Sequence, residues 1–164
     1  MSQVIEGIDV RGHLIGWAKG VTGMFIKDIN ALPEDKITAT MGGCTRPVSE
    51  LTADAMGLVL WVTAAFKGQT LAGSEEEQMA ALTAKLATKS AIVQHLGSAV
   101  DDFCAAIASA NDETLAKVVT TPWGMESSLY SLAHTAVSHI WYHDGQLNYI
   151  QTLLGDGKVH WMEE

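Results

Sequence analysis

The sequence predicts an all-α fold, a four-helix bundle, and three observations predict it. Apolar residues recur with a period near 3.6 along most of the chain, as on one face of an amphipathic helix. Alternating β-branched runs are scarce. Only 3 prolines interrupt the 164 residues, and they fall with glycines in the gaps between apolar stripes.

The first helix is expected over residues 8–31, where Val10, Leu14, Trp17, Val21, Met24, Phe25 and Ile29 form one apolar face. It stops before Leu32-Pro33, and the Pro- and Gly-rich loop PEDKITATMGGCTRP follows. The second is expected over 48–67, opening after Pro47 with Ser49 and Glu50 in its first turn and closing at Lys67-Gly68. The third, expected over 75–109, opens with a capping box. There the Ser74 hydroxyl takes a free N–H and the Glu77 carboxylate reaches back. Its stripe, Met79, Leu82, Leu86, Val93, Leu96, Val100, Phe103 and Ile107, alternates steps of three and four apart from a gap at Lys89. Asn111, Pro122 and Gly124 break the chain before a fourth helix expected over 126–154, which Gly155-Asp156-Gly157 ends. Helices two and three, joined by a few residues, should be antiparallel neighbours. The other two connections, at ~3.3 Å per extended residue, are long enough to return along a whole helix. That permits an up-up-down-down order. Residues 1–164 read as one domain.

Composition narrows the function. Apolar residues make up 48% and charged residues 18%, the balance of a folded chain. A net charge of −9 argues against nucleic acid or an anionic membrane as partner. The N-terminal MSQVIEGIDVRGH lacks the layout of a signal peptide. The longest apolar stretch, Ala55 to Phe66, falls short of the ~20 residues that span a bilayer. A cytoplasmic location is expected. Cys44, in a Gly-Gly-Cys loop, and Cys104, in a helical stripe, fit it as unpaired thiols.

Two polar features lie where core residues belong. On the fourth helix, His139 and His143 continue the stripe Leu129, Leu132, Ala136 toward Leu147, Ile150 and Leu154. Spaced i, i+4, they stack on one face a turn apart, close enough for one ion or for a hydrogen-bonded buried pair. On the second helix, Asp54 is the only charge in the stripe Leu51, Asp54, Leu58, Val62, Ala65. A buried carboxylate needs a partner. A metal, a protonated histidine or Lys89 could supply one; otherwise Asp54 sits at a wet end of the bundle. Asp54, His139 and His143 together make a two-histidine, one-carboxylate set suited to Zn, Ni, Fe or Mn, with positions left open. His134 is turned away from this face, His13 borders the first stripe, and His95 and His160 read as surface groups. Gln146, one turn beyond His143, either hydrogen-bonds a ligand carboxylate or histidine from behind or faces solvent. Trp61, Trp123, Trp141 and Tyr142 gather near the same level, as packing or as a pocket wall. No acid-base residue stands out; Tyr142 and His13 are candidates. No phosphate loop, dinucleotide fingerprint or Ser-His-Asp spacing is visible. Gly12, Gly16 and Gly20 read as a close-packing face.

The stretch His139-x-x-x-His143-x-Gly145-Gln146, followed by Leu153-Leu154-Gly155-Asp156, resembles the DinB/YfiT-like superfamily of metalloenzymes. Arg46-Pro47-Val48-Ser49-Glu50-Leu51 is similar to that family's approach to its second helix, and Leu32-Pro33 and Pro122-Trp123-Gly124 also fit. The resemblance implies a four-helix bundle, often a homodimer. It implies a divalent metal held by one histidine from helix two and two from helix four. It also implies thiol-dependent transferase or isomerase chemistry using a low-molecular-weight thiol. This chain departs at one ligand, carrying Asp54 where the family has histidine. The expectation is therefore a metal-dependent transferase or hydrolase acting on a small molecule. The alternative is a non-catalytic dimeric bundle, or a small-molecule-binding protein, with a degenerate site. The ligand types alone also suggest an iron oxygenase.

Overall fold

The computed structural model describes residues 9–162. Ile8, the expected first helical residue, lies outside the described residues. Helix α1 spans Val10–Ala31, opened by the Asp9 side chain, which accepts the Gly12 N–H. A 3₁₀ turn at Glu34–Lys36 and a loop lead to α2, Val48–Phe66. The expected third helix is two: α3, Glu75–Lys85, and α4, Lys89–Ser109. A short α5, Asp112–Ala116, precedes a hairpin of β1, Val118–Thr120, and β2, Glu126–Ser128. Helix α6 spans Leu129–Leu153, so the first residues expected in it belong to β2. The hairpin pairs Val118 with Ser128 and Thr120 with Glu126.

Lys89 explains the break in the third helix. Thr88 caps α4 by accepting the Ala91 N–H. The next residue, Lys89, sends its ammonium to the carbonyls of Asn30 and Leu32 at 3.2 and 2.9 Å. The missing step in the apolar stripe is thus a helix junction in which a cation satisfies the last carbonyls of α1.

All-α packing holds as expected, but the order of directions is corrected. Lys89 places the start of α4 at the end of α1, and Arg11 bonds Ala110 O at the opposite end, so these two helices are antiparallel. Asp28 meets Asn148 and Gln151 while Trp17 meets His134 and Trp141, so α1 and α6 are parallel. Helix α2 begins beside the end of α1, where the Ser49 N–H bonds Ile37 O. The order is up-down-down-up rather than up-up-down-down. The α1–α2 connection turns over locally at one end, and α3 carries the chain back so that α4 starts where α2 started.

Leu14, Phe25, Ile29, Ile92, Leu96, Phe103, Ile107, Leu129 and Ile140 are fully buried between the four long helices. Helix α2 has the length and hydropathy of a membrane span, but 61% of its apolar window is buried in this core. Packing between helices accounts for that composition.

Candidate metal centre

The three residues singled out in the sequence converge between α2 and α6. The Nε2 atoms of His139 and His143 are 3.1 Å apart. Asp54 Oδ2 lies 3.4 Å from His143 Nε2, and Asp54 Oδ1 lies 4.0 Å from His139 Nε2. One ligand atom from each falls within 4.8 Å of the others. The i, i+4 spacing on α6 stacks the imidazoles, and α2 packs directly against α6 to bring the carboxylate to them. The set sits at an edge of the core: His143 is 0% exposed, His139 27% and Asp54 33%.

Gln146 gives the centre its chemistry. His143 Nδ1 donates to Gln146 Oε1 at 2.6 Å, and Gln146 Nε2 donates to the Tyr142 hydroxyl at 3.3 Å. With its proton on Nδ1, neutral His143 presents a bare lone pair at Nε2. That lone pair faces the other imidazole nitrogen and a carboxylate oxygen. Such a cluster repels itself unless a proton or cation lies between its members, and a backing hydrogen bond of this kind is what metal-bound histidines use. Burial pushes His143 below the usual histidine range, against the Gln146 bond, which raises it. Burial likewise lowers His139, partly opposed by Asp54. Both imidazoles therefore stay neutral, the form that can ligate. His139 Nδ1 is buried with no hydrogen-bond partner, so His139 lacks the support that His143 has.

Lys89 is not the partner of Asp54. Arg46 is: its Nη1 donates to Asp54 Oδ2 at 2.7 Å. No periodicity argument reaches from a loop arginine to a helical carboxylate, which is why the sequence did not single out this pair. The aromatics do not form one cluster either. Tyr142 lies beside both histidines, with ring centroids at 6.2 Å from His139 and 5.0 Å from His143. Trp141 packs on Trp17 instead, and Trp61 pairs with Trp123. His13 and His134 flank Trp17, and His160 pairs with Asp156 at 2.8 Å. Cys44 is exposed and Cys104 buried, both free.

A second polar group lies behind the first. Asp144, the neighbour of His143, is 2% exposed and Asp28 of α1 is 0% exposed. Asn148 donates to Asp28 Oδ2 at 2.9 Å, and Gln151 donates to Asp28 O at 3.1 Å. Burial, then the Asp28 charge and a hydrogen bond to it, push the Asp144 carboxyl up to about 7. The sequence offered a signal for it: Asp28 adjoins Ile29 at the buried end of the α1 stripe.

No protein-family model matches the chain, and no curated protein does. Solved structures share its fold. A conserved protein from Enterococcus faecalis aligns at TM-score 0.74 and 14% identity, over 92% of this chain and 100% of that one. The mycothiol-dependent maleylpyruvate isomerase aligns at 0.63 and 15%, over 84% of this chain but only 60% of that one. The colibactin self-resistance protein ClbS, solved with double-stranded DNA, aligns at 0.63 and 16%, over 87% and 95%. The chain has the helical-bundle fold of these solved structures.

Proposed function

We propose that this chain, as a single domain, is a metal-dependent transferase or hydrolase acting on a small molecule, with Asp54, His139 and His143 as the metal ligands. The observation that supports this most is the pairing of convergence with orientation. Three donors of the right types face one point, and Gln146 holds His143 in the tautomer that ligation needs. Asp54, His139 and His143 would hold a divalent ion, and its Lewis acidity would favour a nucleophile from water or a thiol near neutral pH. The protein's own part is to keep both imidazoles neutral, to hold His143 through Gln146, and to place the Tyr142 hydroxyl beside the centre as a proton donor. A low-molecular-weight thiol as co-substrate is supported by the thiol-dependent isomerase of the same fold. DNA as a ligand, which ClbS carries, is disfavoured here by a net charge of −9.

One observation favours the non-catalytic reading. Asp54 already has a cation in Arg46, so no metal is required to offset its charge. Elemental analysis of freshly purified protein after gel filtration separates the two. The catalytic reading expects close to one Zn, Ni, Fe or Mn per chain. Protein that stays metal-free after incubation with each of them is a salt-bridged binding bundle.

Homodimerisation and a cytoplasmic location belong to the same reading. The half-exposed Trp141 and the partly buried Trp17 border an open hollow of about 450 Å³ over Gly12, Gly16 and Gly20, an apolar face suited to a second copy. Sedimentation at micromolar concentration should return a dimer mass; a monomer mass removes this part of the proposal.

A further inference from the structure

Asp54 does not stand alone on its face of α2. Leu58 and Trp61 follow it at i+4 and i+7, within about 40° of it around the helix. All three are partly exposed. The strip they form lies between two neighbouring helices. Helix α6 brings His139 and His143 to one side of it. Helix α3 lies along the other side at Gly57, where an added Cβ would meet Met79 Sδ at 3.5 Å. A trough with α2 as its floor therefore runs from the candidate metal centre toward the end of α2.

Trp123 stands at the far end of this trough. The turn Thr121-Pro122-Trp123-Gly124-Met125 lays it on Trp61, with ring centroids 5.9 Å apart and planes at 49°. Hydrogen bonds fix that turn. The Thr121 N–H donates to Met125 O at 2.7 Å, and the Gly124 and Met125 N–H groups donate to Thr121 O and Oγ1, each at 2.9 Å. Gly124 closes it at φ +83°, and Thr121 is buried beneath it. Yet the indole that this rigid turn carries stays 54% exposed. Packing on Trp61 thus leaves half of it in water, at a set tilt. Aromatic rings favour offset or tilted neighbours at about 4.5–7 Å, so two indoles held this way can receive a third flat ring.

From this arrangement we propose that Trp61 and Trp123 form a substrate subsite, and that the substrate carries an aromatic ring set apart from the group that meets the metal. The helix sets the separation. Trp61 lies two turns beyond Asp54, about 11 Å along the axis, and helical side chains lean toward the N-terminus, so a linker of about three carbon atoms bridges the two.

This inference rests on the metal reading above, and the experiment keeps the two apart. Zinc uptake is measured first. Zinc-loaded protein is then titrated by calorimetry with 4-phenylbutanohydroxamate and with butanohydroxamate, which share a zinc-chelating head and a carbon chain and differ only in the ring. The aryl ligand should bind roughly tenfold tighter. In NMR spectra it should shift the indole N–H signals of Trp61 and Trp123 and leave those of Trp17 and Trp141 in place. Trp123→Ala should take up zinc and bind butanohydroxamate as before, but lose the advantage of the ring. Trp123→Phe should keep most of it. Equal affinity of the native protein for both ligands, an advantage that survives Trp123→Ala, or shifts confined to Trp17 and Trp141 overturns the aromatic subsite with the metal reading intact. Protein that takes up no zinc overturns both.

Discussion

Helix α6 carries two polar groups on adjacent residues, and they solve opposite problems. His143 faces α2 and an edge open to water; Asp144 faces α1 and the closed core. At the first, two imidazole nitrogens meet at 3.1 Å, a glutamine behind His143 fixes its direction, and Arg46 pairs with the carboxylate beside them. At the second, two carboxyls are pressed together, amide donors from Asn148 and Gln151 cover one of them, and a proton raised to about 7 relieves the rest. A buried acid that can share a proton needs no ion. On the proposed reading, metal chemistry belongs to one face of α6 and a structural role to the other.

The largest effect is expected from His143→Ala. It removes the one ligand held from behind, and zinc affinity should fall below detection while circular dichroism still reports a helical bundle. If affinity survives, the centre is not where the three side chains meet.

Asp144→Asn probes the other face and should act through pH. The folded-state pKa of Asp144 lies near 7, above its ordinary value of 3.8. Its stabilising contribution is therefore complete below about pH 4 and lost as pH rises through 7. His139 and His143 are shifted the other way, below 6.5, so their contribution is present above that value and lost as pH falls. The native protein should be most stable between these two limits. The amide of the variant cannot ionise. In urea unfolding it should therefore gain about 3–4 kcal/mol over the native chain near pH 9, and about 1–2 kcal/mol near pH 5. A gain of equal size at both pH values would show that the pair carries no shared proton.

Gln146→Leu gives the smallest of the three. It should leave the fold intact and weaken zinc binding roughly 10-fold, the usual cost of losing a partner behind a histidine ligand. An unchanged affinity would mean that the tautomer of His143 is set by something other than Gln146.

Much of this was readable before the structure. The helical stripes located α1, α2 and α6 to within a few residues, because one-sided burial imposes a 3.6 period. Asp54, His139 and His143 were visible as polar residues at core positions of those stripes. Helix direction was not, because a connection long enough to cross the bundle is also free to turn over at one end. Lys89 was seen as a gap, but its role depends on carbonyls more than fifty residues away. The pairing of Arg46 with Asp54 was missed for the same reason: a loop residue shares no period with a helix. The Asp28–Asp144 pair also escaped: the place of Asp28 beside the α1 stripe hinted at burial, but only packing shows that the two acids meet.

The central claim is that the open side of α6 needs a cation. Titrating metal-free protein with zinc against a chromophoric chelator tests it most directly. The account predicts one equivalent bound per chain near pH 7.5, lost progressively below about pH 6 as the imidazoles take up protons. Folded protein that binds no zinc near pH 7.5, or binds it equally well after His143→Ala, would contradict it.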